Sequence, residues 1–403
     1  MSDPSMFRSE SVVLRLAETP ALVLDCGSCV SRAGLAGDDS PRGVLPSVVA
    51  TPRAGGAGAS QQDVHCGEEA LEQLKDPHLS PHLSRRQPVQ YGHIVEWEHM
   101  EALWTHIFHQ GLNRDPEEHP LVLLEPALSP TVTREKTAQV MFETFQVPAL
   151  ALVRRPEACL WSAGAGTSGL VVELGGMSCT PAPVWEGYVL SRCVVKSLLS
   201  GQELSWYMLR LLTDAGHVIT GSPTEQLRLA EDVKERLCRV APEPLQEKDS
   251  NSDQPGCSST EETEEYPLPD GSIFSVGRER FLCPESIFQP PLRGEEMPGL
   301  HEIVHSAIRR CDPDLQPVMS ANVLLCGAAS LFPGLGDRFQ AEMDKLAEVK
   351  AGDYKVKVTH IQDPHTAFRG GSRLAASEEF VHRYLTREFY EEYGPSAVVR
   401  HFI

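Results

Sequence analysis

Two stretches 148 residues apart follow one plan. ALVLDCGSCV, residues 21–30, and GLVVELGGMS, residues 169–178, each carry four apolar residues into an acid and then into a turn containing glycine. The acid is Asp25 in the first copy and Glu173 in the second. A short apolar run that ends on turn residues reads as a buried strand. Two such strand-acid-turn units predict a duplicated α/β domain whose two turns grip one polyphosphate from opposite sides, and clefts between domains are favoured ligand sites. A third strand-to-glycine passage, NVLLCGAASLFPGLGDRF at 322–339, is placed to cover the far end of the same ligand. With 403 residues the chain is long enough for two or more domains, and 41% hydrophobic content supplies ordinary cores.

Within the first turn, Cys26-Gly-Ser-Cys29 invites a thiol reading. A papain-type nucleophile signature requires Trp or Tyr after the second Cys and a His some 130 to 150 residues on. Here Val30 follows Cys29, and no His stands at that distance. A redox dithiol usually opens a helix, whose N-terminus lowers the thiol pKa. Val30 to Ala36 instead reads as the return strand of a hairpin. What remains is a strand entering Asp25, a small-residue turn and the cation Arg32. In such a turn, backbone N–H groups converge on an anion, the acid holds Mg²⁺ through water, and the cation neutralises phosphate.

The intervening chain alternates helix and strand. WEHMEALWTHIFHQGL, residues 97–112, spaces Trp97, Met100, Trp104, Ile107, Phe108 and Leu112 as one face of a helix, which we assign to core packing rather than to a ligand box. PLVLLEP is a buried strand, TVTREKTAQVMFETF an amphipathic helix and ALALV another strand. A net charge of −20 argues against direct nucleic-acid binding, which needs a basic surface, and points to protein partners. Apolar runs such as LVLL fall far short of the roughly 20 residues that span a bilayer, so no membrane insertion is expected. Eleven scattered cysteines without a secretory leader predict free thiols in a reducing compartment. Neither the cysteines nor the triplet His78, His82 and His93 shows the ligand spacing of a zinc site.

From about residue 21 to its C-terminus the chain resembles actin. The segments that carry the resemblance, in order, include AGLAGDDSPRGVLPSVV, DPEEHPLVLLEPALSP, REKTAQVMFETFQVPAL, VWEGYVL, YPLPDG, ERFLCPESIFQP, FPGLGDRF and YGPSAVVRHF. The resemblance implies an actin-like fold of the actin and sugar-kinase type, with duplicated α/β domains around an adenine-nucleotide cleft. Its divergence is similar to that of the mammalian sperm-type actin-like branch. The implied domains are 21–165 with 365–403 and then 166–364, after an N-terminal extension at 1–20.

Carried over residue by residue, the resemblance separates binding from hydrolysis. It assigns Asp25, Gly27 and Ser28 to the first phosphate turn, with Arg32 in place of a phosphate-contacting Lys. Cys29 stands where the family has Gly, which would crowd the phosphates if the backbone there needed positive φ. Glu173, Gly175 and Gly176 fall in the second turn, where the family's Asp becomes Glu173 and a Gly becomes Met177, so affinity should drop. Gly201 lies near the ribose, Lys234 and Glu235 on the adenine side, and Gly327 in the third turn. The implied cofactor is ATP or ADP with Mg, held through water by Asp25 and Glu173. The family's water-positioning Gln corresponds to Arg155 and its nearby His to Thr180. Phosphoryl transfer depends on placing the attacking water and on stabilising charge. The expectation is therefore at most very slow hydrolysis and no catalytic residues.

Regions that join subunits in actin filaments also depart. AGGAGASQQDVH at 54–65 replaces apolar anchors with glycine and alanine, reducing the area it could bury. Arg293 and Glu295 replace apolar residues in QPPLRGEEMPG and are expected to face solvent in a monomer. Self-polymerisation is accordingly doubtful. The acidic stretch 244–266, with seven acids against one Lys, reads as a solvated loop. These features favour a cytoskeletal structural or scaffold protein of the cytoplasm with protein partners. An active ATPase of the same superfamily and a subunit of a nuclear chromatin complex are the alternatives.

Overall fold

The computed structural model describes residue 16 and residues 18–53, 64–76, 78–245, 263–268, 271–349 and 355–402. The N-terminal extension up to residue 15, nearly all of the stretch 54–65, and most of the acidic loop lie outside the described residues. The chain separates into two compact units, 1–167 with 186–191 and 365–403, and 168–185 with 192–364.

Among the described residues, ten of the eleven strands in the two main sheets position the site. They are β1 (Leu22–Cys26), β2 (Val30–Leu35), β3 (Gly43–Pro46), β4 (Leu121–Glu125), β5 (Ala149–Arg154), β6 (Gly169–Leu174), β7 (Cys179–Trp185), β8 (Val323–Cys326), β9 (Val358–His360) and β10 (Leu385–Thr386). In the first unit the order is β10-β5-β4-β1-β2-β3, with β1, β4 and β5 parallel and β2 turned back against β1.

Strand side chains alternate between faces, and a sheet covered on both sides needs apolar residues at every position. That is why these strands read as unbroken apolar runs. Leu22, Leu24, Leu121, Leu123, Leu150 and Leu152 face one cluster with Trp104, Phe108 and Met141. Val23, Val122, Leu124, Ala151 and Val153 face the other, with Ala158, Phe368 and Leu374. Burial of each Val, Leu, Phe or Met side chain among them contributes about 1.5–3 kcal/mol.

The first layer is built by α1 (Trp97–His106) and α2 (Thr131–Gln139), each followed by a single π turn, Ile107–Gly111 and Val140–Thr144. The stripe expected from sequence is core. Met100, Trp104, Ile107 and Phe108 are fully buried, and Trp97 and Leu112 pack partly against them. The second layer contains α3 (Arg155–Ala163), packed closely on the helix Thr366–Ala375.

The second unit repeats the central motif. β6 runs parallel to β8 and β8 to β9, with β7 turned back against β6. The helices α4 (Gly201–Asp214) and α5 (Pro223–Leu237) pack on each other. A fully buried ion pair ties this unit together. Arg338 donates to both oxygens of Glu285 at 3.0 and 3.1 Å and to the Ala241 carbonyl at 3.0 Å.

The segment around Arg293 differs from expectation. Arg293 is buried, donating from Nη2 to Glu295 at 3.0 Å, while its own carbonyl accepts from Arg210. The residue closes the 3₁₀ turn Pro290–Arg293, and Glu295 matches its charge through Nη2 alone, while Nε and Nη1 are buried without a hydrogen-bond partner among the described residues.

Candidate functional site

The two hairpin tips are built alike. On β1 and β2, Asp25 lies opposite Arg32 and Cys26 opposite Ser31, which leaves Gly27 to Val30 as the loop. On β6 and β7, Glu173 lies opposite Thr180 and Leu174 opposite Cys179, which leaves Gly175 to Ser178. Each loop closes with the same hydrogen bond, from its first N–H to its fourth carbonyl: Gly27 to Val30 at 3.1 Å and Gly175 to Ser178 at 2.9 Å. A Cβ at Gly27 would stand 2.8 Å from the Val30 carbonyl oxygen, so the closure requires glycine.

In the first tip, three successive carbonyls are captured by protein donors. Ser47 Oγ donates to Gly27 O at 2.7 Å, Gln87 Nε2 to Ser28 O at 2.7 Å and Ser47 N to Cys29 O at 2.9 Å. Across a planar trans peptide the N–H points opposite to the C=O. The N–H groups of Ser28, Cys29 and Val30 therefore face away from those donors, the arrangement of an anion-binding nest. Cys29 is not among the positive-φ residues, so its side chain imposes no backbone strain. The Ser28 hydroxyl is buried and accepts the Gly92 N–H at 3.0 Å.

The acid of this tip is engaged by arginine. Arg155 Nε donates to Asp25 Oδ1 at 2.7 Å, and Nη2 donates to the Cys26 carbonyl at 2.8 Å. Asp25 is 4% exposed and Arg155 6% exposed. Arg155 is the first residue of α3, directly after β5, with Pro156 next; this strand-to-helix passage delivers the guanidinium to the end of β1. Arg32 Nη1 lies 3.7 Å from the other carboxylate oxygen, while its Nε donates to His365 Nδ1 at 3.0 Å. A hydrated divalent cation on Asp25 would meet two guanidinium charges on the same carboxylate, so the residues present do not suit that ion. Among the described residues, no group of three or more His, Cys, Asp or Glu side chains is arranged to hold a metal.

Burial, and then the Asp25 charge, push the Cys26 thiol up to about 11. A thiol held protonated is a poor nucleophile, in line with the rejection of redox and papain-like chemistry.

In the second unit the glycines of the tip converge with the start of α4. Gly201 N donates to Gly175 O at 3.0 Å and Gln202 N to Gly176 O at 2.9 Å. Gly327, the residue after β8, has φ +101°, and a Cβ there would lie 2.4 Å from the Leu174 carbonyl oxygen. Lys234 is buried and donates from Nζ to Gly201 O at 3.0 Å and to Ser205 Oγ at 2.8 Å, tying α5 to α4. Glu235 is exposed on α5 and does not join this cluster. Glu173 and Thr180 are half-buried as a cross-strand pair, whereas Met177 is buried at 8% exposure. The structure thus brings together Asp25, Gly27, Ser28, Arg32 and Arg155 in one unit, and Glu173, Gly175, Gly176, Gly201, Lys234 and Gly327 in the other.

Sequence reasoning missed a second charged group beside Asp25. Glu125, at the end of β4, pairs bidentately with Arg134, and Arg154 Nε lies 3.8 Å away. Glu125, Arg134 and Arg155 line a small cavity together with Cys26, Trp104 and Leu123. The signal was present, since LVLLE ends on an acid as LVLD and LVVE do. Ser47 carried no comparable signal.

Compared with known families, residues 16–403 match the model of the family described as Actin.

Proposed function

The chain belongs to the actin family, and from that premise we propose that it is a structural or scaffold member that binds an adenine nucleotide, hydrolyses it little or not at all and polymerises poorly by itself. Its proposed setting is cytoplasmic and cytoskeletal, with protein partners, in a divergent branch of the sperm type.

One observation carries the reading: Arg155 takes the position expected of a water-orienting side chain and is bonded to Asp25 instead. A guanidinium has no acceptor with which to take up or align the protons of an attacking water. Thr180, opposite Glu173, brings no imidazole to the second tip. Binding draws support from the N–H groups at Ser28 to Val30, the cation Arg32 and the glycine cluster at Gly175, Gly176 and Gly201.

The test is nucleotide binding and phosphate release on one purified preparation, with sedimentation under polymerising salt. Saturable ATP or ADP binding with phosphate release near background and no pelleted polymer is expected. Turnover comparable to that of actin, or robust filaments, would overturn the reading.

A further inference from the structure

We propose that the phosphate turn of this chain uses arginine where its relatives use a divalent cation, so that nucleotide binding here is independent of Mg²⁺. The inference rests on the nucleotide reading above and deepens it.

A cation held by Asp25, directly or through water, needs a carboxylate whose negative charge is not already neutralised by neighbouring cations. Oδ1 already accepts Arg155 Nε at 2.7 Å, and Arg32 Nη1 stands 3.7 Å from Oδ2. Two permanent cations thus share one carboxylate, leaving this tip with an excess of one positive charge before any ligand arrives. The second bond of Arg155, to the Cys26 carbonyl at 2.8 Å, holds its guanidinium on the strand end that enters the nest. The tip therefore offers phosphate oxygens converging N–H groups beside fixed positive charge, the function a bridging metal ion would otherwise serve. A divalent cation brought here would be repelled by both guanidinium groups, and the carboxylate that would attract it is already neutralised by them.

Isothermal calorimetry of the full chain with ATP, once in excess EDTA and once in Mg²⁺, tests this. The expected result is a Kd that agrees within threefold between the two conditions. A Kd more than threefold weaker in EDTA overturns the inference and leaves the nucleotide reading standing. Absence of ATP or ADP binding in both conditions overturns the two together. In Arg155→Gln, ATP binding in EDTA should weaken at least tenfold and recover on adding Mg²⁺, whereas Arg155→Lys should keep its EDTA binding. The wild-type comparison decides the question by itself if either variant fails to fold.

Discussion

Arg155 donates to Asp25 at 2.7 Å across 130 residues of sequence, joining the start of α3 to the end of β1 inside one unit. Both groups are nearly excluded from water, so removing one partner leaves the other as an uncompensated charge. Arg155→Ala should lower unfolding free energy by about 3 kcal/mol, at the lower end for broken buried pairs because Arg32 remains nearby. Arg155→Lys should lose less. Urea denaturation of the three proteins would measure the order.

The buried thiols should make the protein sensitive to alkali. Cys26 is pushed up to about 11 by burial and then by the Asp25 charge, and Cys66 to about 12 by burial and then by Glu69. An unfolded thiol loses its proton near pH 8.5. Above that pH the folded state binds more protons than the unfolded state, so stability falls as pH rises toward the folded values. For Cys26 alone the loss by pH 11 is on the order of 3 kcal/mol. Thermal melts between pH 7 and 10.5 should show a fall beginning near pH 9, reduced in Cys26→Ser. At pH 8, Cys26 should resist alkylation until the chain is denatured.

Glu285 and Arg338 provide an independent check on the second unit. Arg338→Met should cost about 3–5 kcal/mol by stranding a fully buried carboxylate. The double change Arg338→Met with Glu285→Leu should recover much of that loss. A double-mutant cycle read by chemical denaturation gives the coupling energy, and strictly additive effects would refute the pairing.

Gly327 should admit no side chain. Its φ of +101° brings backbone strain to any other residue, and a methyl group on its Cα would stand 2.4 Å from the Leu174 carbonyl oxygen, which adds a clash. Gly327→Ala is expected to lose at least about 2 kcal/mol. The loss would appear as a lowered melting temperature, and an unchanged melt would exclude this geometry.

Much of the fold could be read from local sequence because its physical causes are local. Apolar runs ending on Asp25 and Glu173 marked the twin hairpins, and the spacing of Met100, Trp104, Ile107 and Phe108 marked a buried helix face. The relation of Arg155 to Asp25 was not legible, since it arises only when β5 lies two strands from β1 and α3 starts at the same end of the sheet. Arg293 was read as solvent-facing because charge usually is. It is buried at the end of a turn of 3₁₀ helix, and no periodicity signals that. Lys234 and Glu235 are neighbours in sequence on one helix, yet adjacent helical positions point about 100° apart, so only Lys234 reaches Gly201.

The first hairpin tip takes much of its shape from elsewhere. Ser47 and Gln87, on separate parts of the chain, hold the carbonyls of Gly27, Ser28 and Cys29, and the loop itself adds the glycine at position 27 and the Ser28 hydroxyl that takes the Gly92 N–H. Those contacts take only the backbone carbonyl of Cys29, and Arg155 takes that of Cys26. The pair that looks most like chemistry in the sequence thus sits in a mould cast largely by distant serine and glutamine.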